Sequence, residues 1–522
     1  MRTSASLLLL LLVSFPLTAA EPVDVDTMAR IRNQAFRDSK VMETASTLTD
    51  RYGSRLTGSP GIREAQEWVK KELESYGLVN VQLEPWGPFD RGWQNEFVSA
   101  RMVAPAVATM YALPLAWTEG TKGLVSGEVM RVEIDDKDDF ETYRGKLEGK
   151  ILLVGAAPGL EPIKDAALHR YNDDELDELT VYDIPTQRSA RFEVYMKRRA
   201  FREELAAFLK EERALAVIHP GSGNGGGSFH VQSAGSWEKE KGLGVPAVSM
   251  APEHWGQIHR LLKAEQPVKL ELDIRNQVFE DMPGDYNVIA EIPGTDSRAG
   301  VVMMGAHLDA WHGSTGATDN AAGVAVVMEA ARILSKFEKR PKRTIRLALW
   351  SGEEQGIYGS RRYVEKHFAS WPEPEDADQK AMSPWYRRDA PKPTFKPEQK
   401  TISAYFNLDN GTGRIRGIYT QENLAVAPIF RSWLEPFHDL GAKTVTTNNT
   451  GGTDHLPFDA AGIPAFQFIQ DEVEYSSRTH HTNWDSYERL QREDLMQASA
   501  ILAGFVWQAA NRPEMLPRKP LD

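Results

Sequence analysis

The chain has no cysteine. That absence excludes disulfide staples, thiol nucleophiles and cysteine-attached lipid, and it leaves any metal site to histidine and carboxylates. Two other catalytic signatures are missing as well: a G-x-S-x-G elbow for a serine nucleophile and an H-E-x-x-H zinc helix. A positive excess is absent too. Lys and Arg number 61 against 74 Asp and Glu, a formal charge of -13, so no basic face is expected for phosphates and no nucleic-acid partner is implied. The N-terminal apolar stretch, Leu7 to Val13, is far shorter than the roughly 20 residues a spanning helix needs, and Pro16 breaks any continuation of it. With Arg2 before it and Thr18-Ala19-Ala20 after it, residues 1–20 have the order of a secretory signal peptide. The expectation is a mature chain in the periplasm or outside the cell, with no stable membrane insertion after cleavage.

The 522 residues, 41% of them hydrophobic, leave room for more than one core, and two domains are the natural expectation. From Val25 to Tyr76 the pattern is helical, with apolar residues at helical spacing from Gly61 and a stop at Gly77. Between Gly123 and Leu272 short strands alternate with turns: Gly127 to Met130, Gly149 to Gly155, Ala214 to Ile218 and Val245 to Met250. A charged helical stretch, Thr186 to Glu212, separates the second from the third, so the middle of the chain reads as an α+β module. From Tyr286 onward the pattern is α/β: strands at Tyr286 to Ala290, Val301 to Ala306, Ile345 to Trp350 and Ile402 to Leu408, with a long amphipathic helix from Ala321 to Phe337. The proline- and charge-rich stretch from Trp371 to Gln399 is expected to be a surface insertion. Gly221 to Gly226 fits G-x-G-x-x-G, but the extended Ser228 to Val231 comes next, where a helix would have to receive a pyrophosphate, so no dinucleotide site is expected.

Five segments place histidines or carboxylates where buried strands should end: His307-Leu308-Asp309, Thr318-Asp319-Asn320, Gly352-Glu353-Glu354, Asn407-Leu408-Asp409, and His480-His481-Thr482-Asn483-Trp484-Asp485. Strand ends of an open α/β sheet border the ligand crevice, so these groups can converge from distant parts of the chain. Ionised carboxylates gathered there repel one another unless cations compensate them. Two zinc ions carry four positive charges; Asp319, Glu354 and Asp409 supply three negative ones and a bridging hydroxide the fourth. A mixed imidazole and carboxylate set suits zinc, where an all-oxygen set would point to magnesium or calcium. Asp309, two residues beyond His307, is placed to take the second imidazole proton and fix its tautomer. Glu353, beside a ligand without being needed as one, suits a general base.

The run from His307 through Gly323, together with Gly352 to Gly356, Asn407 to Asp409, Gly452 to His455 and His481 to Asp485, resembles the co-catalytic zinc exopeptidases, the group that includes bacterial leucyl aminopeptidases, carboxypeptidase Q and glutamate carboxypeptidase. The middle module resembles the protease-associated domain inserted in many of them, most clearly at Val245 to Ser249. The resemblance implies a mixed-sheet α/β/α catalytic domain over residues 21–110 and 285–515, with an α+β protease-associated domain inserted at 111–284. It implies one zinc on His307, Asp319 and Asp409, a second on Asp319, Glu354 and His481, and Asp319 bridging them. The residues alone leave His480 and His481 open as ligands; the resemblance selects His481 because it begins the pattern H-T-x-x-D. Asp454 and His455 match a motif near the family's active site, with no role assigned.

The function so implied is hydrolysis of terminal peptide bonds in peptides or dipeptides by zinc-bound hydroxide, with Glu353 as general base. Two alternatives stand beside it: a metal-depleted, receptor-like binding protein, and a glutaminyl-cyclase-like acyltransferase using one zinc. The middle module could narrow access to the cleft or recruit a partner, and a rigid spacer is the preferred expectation. Side-chain preference, the choice of peptide end and the oligomeric state stay open.

Overall fold

The computed structural model describes residues 21–157, 159, 166–182, 189–223, 226–280, 284–380, 382–387 and 392–520. The expected signal peptide lies outside the described residues, as do Asn224 and Gly225 of the glycine-rich stretch. The chain folds as mixed α/β, with two eight-stranded sheets that each combine parallel and antiparallel pairs.

The first sheet runs in the order Val79–Gly87, Asp285–Ile292, Thr344–Trp350, Val301–His307, Ile402–Asn407, Ala465–Gln470, Ile415–Tyr419, Thr444–Thr446. Its middle four strands, Thr344–Trp350 through Ala465–Gln470, are mutually parallel, so their C-terminal ends share one edge. Near-continuous apolar sequence is what such strands need, because both faces are covered. Val302, Met304 and Ala306 enter one core with Leu347, Leu349 and Phe406. The alternate residues Met303, Ala348, Trp350 and Tyr405 enter a second core on the opposite face. Helices Ala322–Ser335 and Arg492–Asn511 belong to the first core and are buried nearly end to end, so the first is covered all round and not on one face only, as an amphipathic helix would be. Helices Tyr358–His367 and His455–Ala460 cover the other face through Tyr363, Val364 and Phe458.

The second sheet has the order Ala108–Thr109, Arg91–Ala104, Lys269–Glu280, Val125–Arg131, Ile151–Leu153, Ala216–Pro220, Ala247–Met250, Ala112–Pro114. It contains the four strands expected of the middle module, and helix Ser189–Glu211 packs on it through Phe208 and Leu209. The expected division at residue 110 falls inside this sheet, because Arg91–Ala104 pairs antiparallel along its length with Lys269–Glu280. Among the described residues no helix is long and apolar enough to cross a membrane.

Candidate metal centre

The shared edge of the parallel strands gathers the five segments. His307 is the last residue of its strand, Asp409 lies two residues beyond Asn407, and Glu353 and Glu354 occupy the turn after Trp350. That turn depends on Gly352, whose φ is +72° and whose added Cβ would lie 2.9 Å from a ring carbon of Trp86. Asp319 sits in the irregular turn Ala317–Ala321 that leads into helix Ala322–Ser335, with non-helical backbone angles of its own. The turn is held from outside: Thr318 N–H and Asp319 N–H donate to the two carboxylate oxygens of Asp485, at 2.6 and 3.1 Å. Arg55, fully buried, donates to the carbonyls of Leu308, Thr315 and Gly316 and ties this turn to the end of the His307 strand.

The side chains meet around Asp319. His307 Nε2 is 3.2 Å from Asp319 Oδ1 and 3.2 Å from Asp409 Oδ1. On the other side, Asp319 Oδ2 is 3.1 Å from His481 Nε2, which lies 2.8 Å from Glu354 Oε2. His480 is more distant, its Nε2 3.8 Å from Asp319 Oδ2, with its side chain 45% exposed against 21% for His481. His307, Asp319 and Asp409 present ligand atoms within 4.8 Å of one another, and so do Asp319, His480 and His481. Glu354 Oε1 is buried without a hydrogen-bond partner, and Asp319 Oδ2 has no partner beyond the His481 imidazole. Buried carboxylate oxygens left over in a cluster of imidazoles are what a divalent cation would satisfy, and the mixed donor set fits zinc.

Burial and neighbouring charge work against each other here. Burial by itself lowers the imidazole of His307, yet Asp409, Asp309 and Asp319 carry it well above the ordinary range. His481 follows the same course through Glu354 and Asp319. Burial raises Glu353 well above the usual carboxylate range; His307 pulls it down, and Asp409, Asp454 and Glu354 add to the rise. Glu353 makes no side-chain hydrogen bond among the described residues.

Asp309 is arranged differently from the expectation. His307 Nδ1 is 3.0 Å from the main-chain carbonyl of Asp309, and the carboxylate is farther, at 3.6 Å. The carboxylate is turned instead toward the neighbouring strand end, where Oδ1 accepts the N–H of Glu353 while Oδ2 accepts those of Glu354 and the Thr57 hydroxyl. Asp309 therefore links the His307 strand to the Glu353-Glu354 turn. Asp454 is fully buried, accepts from the Ser360 hydroxyl, and is pushed by burial up to about 8, so its contacts are internal. His455 is also buried, with Nε2 3.2 Å from the Thr450 carbonyl.

The second sheet's unit reaches this centre. Val231 N–H donates to the His481 carbonyl at 3.0 Å, Asn483 N–H to the Phe229 carbonyl at 3.1 Å, and Gln232 Nε2 lies 3.0 Å from His481 Nδ1. A cavity of about 170 Å³ opens between the stretch Gln232 to Trp237, with Arg202 and Lys241, and Trp311, Glu354 and Gln355 opposite. These contacts fit a module that narrows access to the cleft better than the preferred expectation of a rigid spacer. The sequence carries no signal for them, since each joins distant segments that only the fold brings together.

The chain is similar to several known proteins. Residues 287–506 match the model of Peptidase family M28. Bovine carboxypeptidase Q is 26% identical over 484 residues, covering 91% of this chain and 86% of its own. The crystal structure of a Peptidase M28 precursor from Shewanella amazonensis superposes with a TM-score of 0.66 at 24% identity, over 95% of this chain and 99% of that one. A zinc aminopeptidase from Bacillus subtilis shares the fold with a TM-score of 0.56 at 19% identity, over 90% and 94% of the two chains.

Proposed function

We propose that the chain is a two-zinc exopeptidase releasing single residues or dipeptides from one end of peptide substrates, a reading supported by the match of residues 287–506 to Peptidase family M28 and by the likeness to bovine carboxypeptidase Q. The observation that carries this reading is the position of Asp319, whose two carboxylate oxygens face different imidazoles, Oδ1 toward His307 and Oδ2 toward His481. His307, Asp319 and Asp409 would hold one zinc, and Asp319, Glu354 and His481 the other. When bound, the two ions would supply Lewis acidity toward the scissile carbonyl and toward water. Asp309 sets the turn that carries Glu353. Glu353 takes a proton from the attacking water as its oxygen bonds to the carbonyl carbon, then delivers that proton to the amine as the C–N bond breaks. We read the unit built on the second sheet as a protease-associated insertion, and residues 1–20 as the signal that exports the chain to the periplasm or beyond.

A digest of a peptide library with free and blocked termini, followed by mass spectrometry, tests this. Products are expected to be residues or dipeptides from one end only, with peptides blocked at that end resistant, and the reaction should stop with a chelator and resume with zinc. Dominant internal cleavage would overturn the exopeptidase reading.

A further inference from the structure

Gln232 belongs to the second sheet's unit and lies 249 positions before His481 in the sequence, yet the two side chains are in hydrogen-bond contact. His481 turns Nε2 toward Asp319 and Glu354 and leaves only Nδ1 for a second partner. An imidazole that offers its Nε2 lone pair to a cation must carry its proton on Nδ1, and that proton needs an acceptor. A side-chain amide can provide one, since a half-turn about its last bond exchanges nitrogen for oxygen. We propose that Gln232 is a positioning residue of the metal centre, its amide oxygen accepting the Nδ1 proton of His481 and so fixing the tautomer that faces zinc.

The surrounding backbone holds both partners in register. Gln232 offers its carbonyl to Ala116 N–H at 2.9 Å, while Val231 N–H next to it holds the His481 carbonyl at 3.0 Å. Phe229 N–H adds a bond to Asn483 Oδ1 at 2.8 Å. His481 adopts the left-handed conformation, φ +57°, which is uncommon for a residue other than glycine. Gly313 leaves the space for this docking, because a Cβ there would come within 2.6 Å of Val231 Cβ. The other imidazole, His307, has its Nδ1 partner in its own segment, at the Asp309 carbonyl just beyond the strand end. The two histidines thus draw their orientation from different units of the molecule, and the second unit becomes part of the catalytic machinery.

The inference rests on the two-zinc reading, and the test separates the two. Zinc affinity is measured on the full mature chain by competition with a fluorescent chelator, and zinc content by elemental analysis. Gln232→Met, of similar shape but without a hydrogen bond, should weaken one of the two sites about 10- to 100-fold, and Gln232→Asn, one methylene too short, should do the same. Gln232→Glu, which can only accept, should restore the affinity. Melting of the chelator-treated Met variant should match that of the chelated parent. Met and parent affinities agreeing within about twofold, a Glu variant no better than Met, or a lowered melting temperature in the chelated Met variant would each overturn the role given to Gln232. A parent chain that takes up fewer than two zinc ions would instead overturn the reading beneath it.

Discussion

Glu353 and Glu354 are neighbours in one turn and are held by the same Asp309 carboxylate, but their side chains face different tasks. Glu354 Oε2 lies against His481 and its other oxygen is buried without a partner, the situation of a metal ligand. Glu354→Gln exchanges an anion for a neutral amide and should cost the protein one zinc, read by elemental analysis. Glu353→Gln should keep both ions. Removing a positioned base typically slows turnover about 10²- to 10⁴-fold while substrate binding survives, so steady-state kinetics should show kcat falling with KM little changed. Wild-type turnover after Glu353→Gln, or a full zinc complement after Glu354→Gln, would contradict the assignment.

The turn Ala317–Ala321 keeps its shape through groups outside it, above all the Asp485 carboxylate that accepts from Thr318 and Asp319. Asp485→Asn replaces one acceptor oxygen by a donor and leaves one of these buried N–H groups unpaired. The expected cost is about 1–3 kcal/mol in denaturant unfolding, with weaker zinc retention, because the turn carries Asp319. An unchanged midpoint and zinc content would show that the turn holds itself. Sequence could reveal the strands of this region because Val301–His307 and Thr344–Trp350 are largely apolar, are buried on both faces and lead into polar turns. Arg91–Ala104 escaped the same reading: a bulge between Asn95 and Phe97 breaks its alternation, and much of it is partly exposed. The role of Asp485 was hidden for another reason. Its motif was visible, but what it binds is main chain, and main-chain donors leave no mark in a sequence. The same holds for the bond of His307 Nδ1 to the Asp309 carbonyl, where the sequence suggested the carboxylate.

In the whole molecule the two sheets are joined through an aromatic cluster in which Trp86 and Trp311 meet Phe89, Trp93 and Trp117, and through the stretch Ser228 to Trp237 that reaches the metal centre. Substrate would enter a cleft walled by both units. The candidate ligands were legible as a set because each follows a strand or turn at one sheet edge; the wall supplied by the second unit was not, because nothing local to Gln232 or Trp237 points toward His481 or Glu354. A two-zinc centre requires Asp319 to serve two cations at once. A crystal structure of the zinc-loaded protein, phased for anomalous scattering at the zinc edge, measures that directly. It should show two zinc peaks with Asp319 between them, one bounded by His307 and Asp409 and the other by Glu354 and His481; a single peak, or a second one placed away from His481 and Glu354, would contradict it.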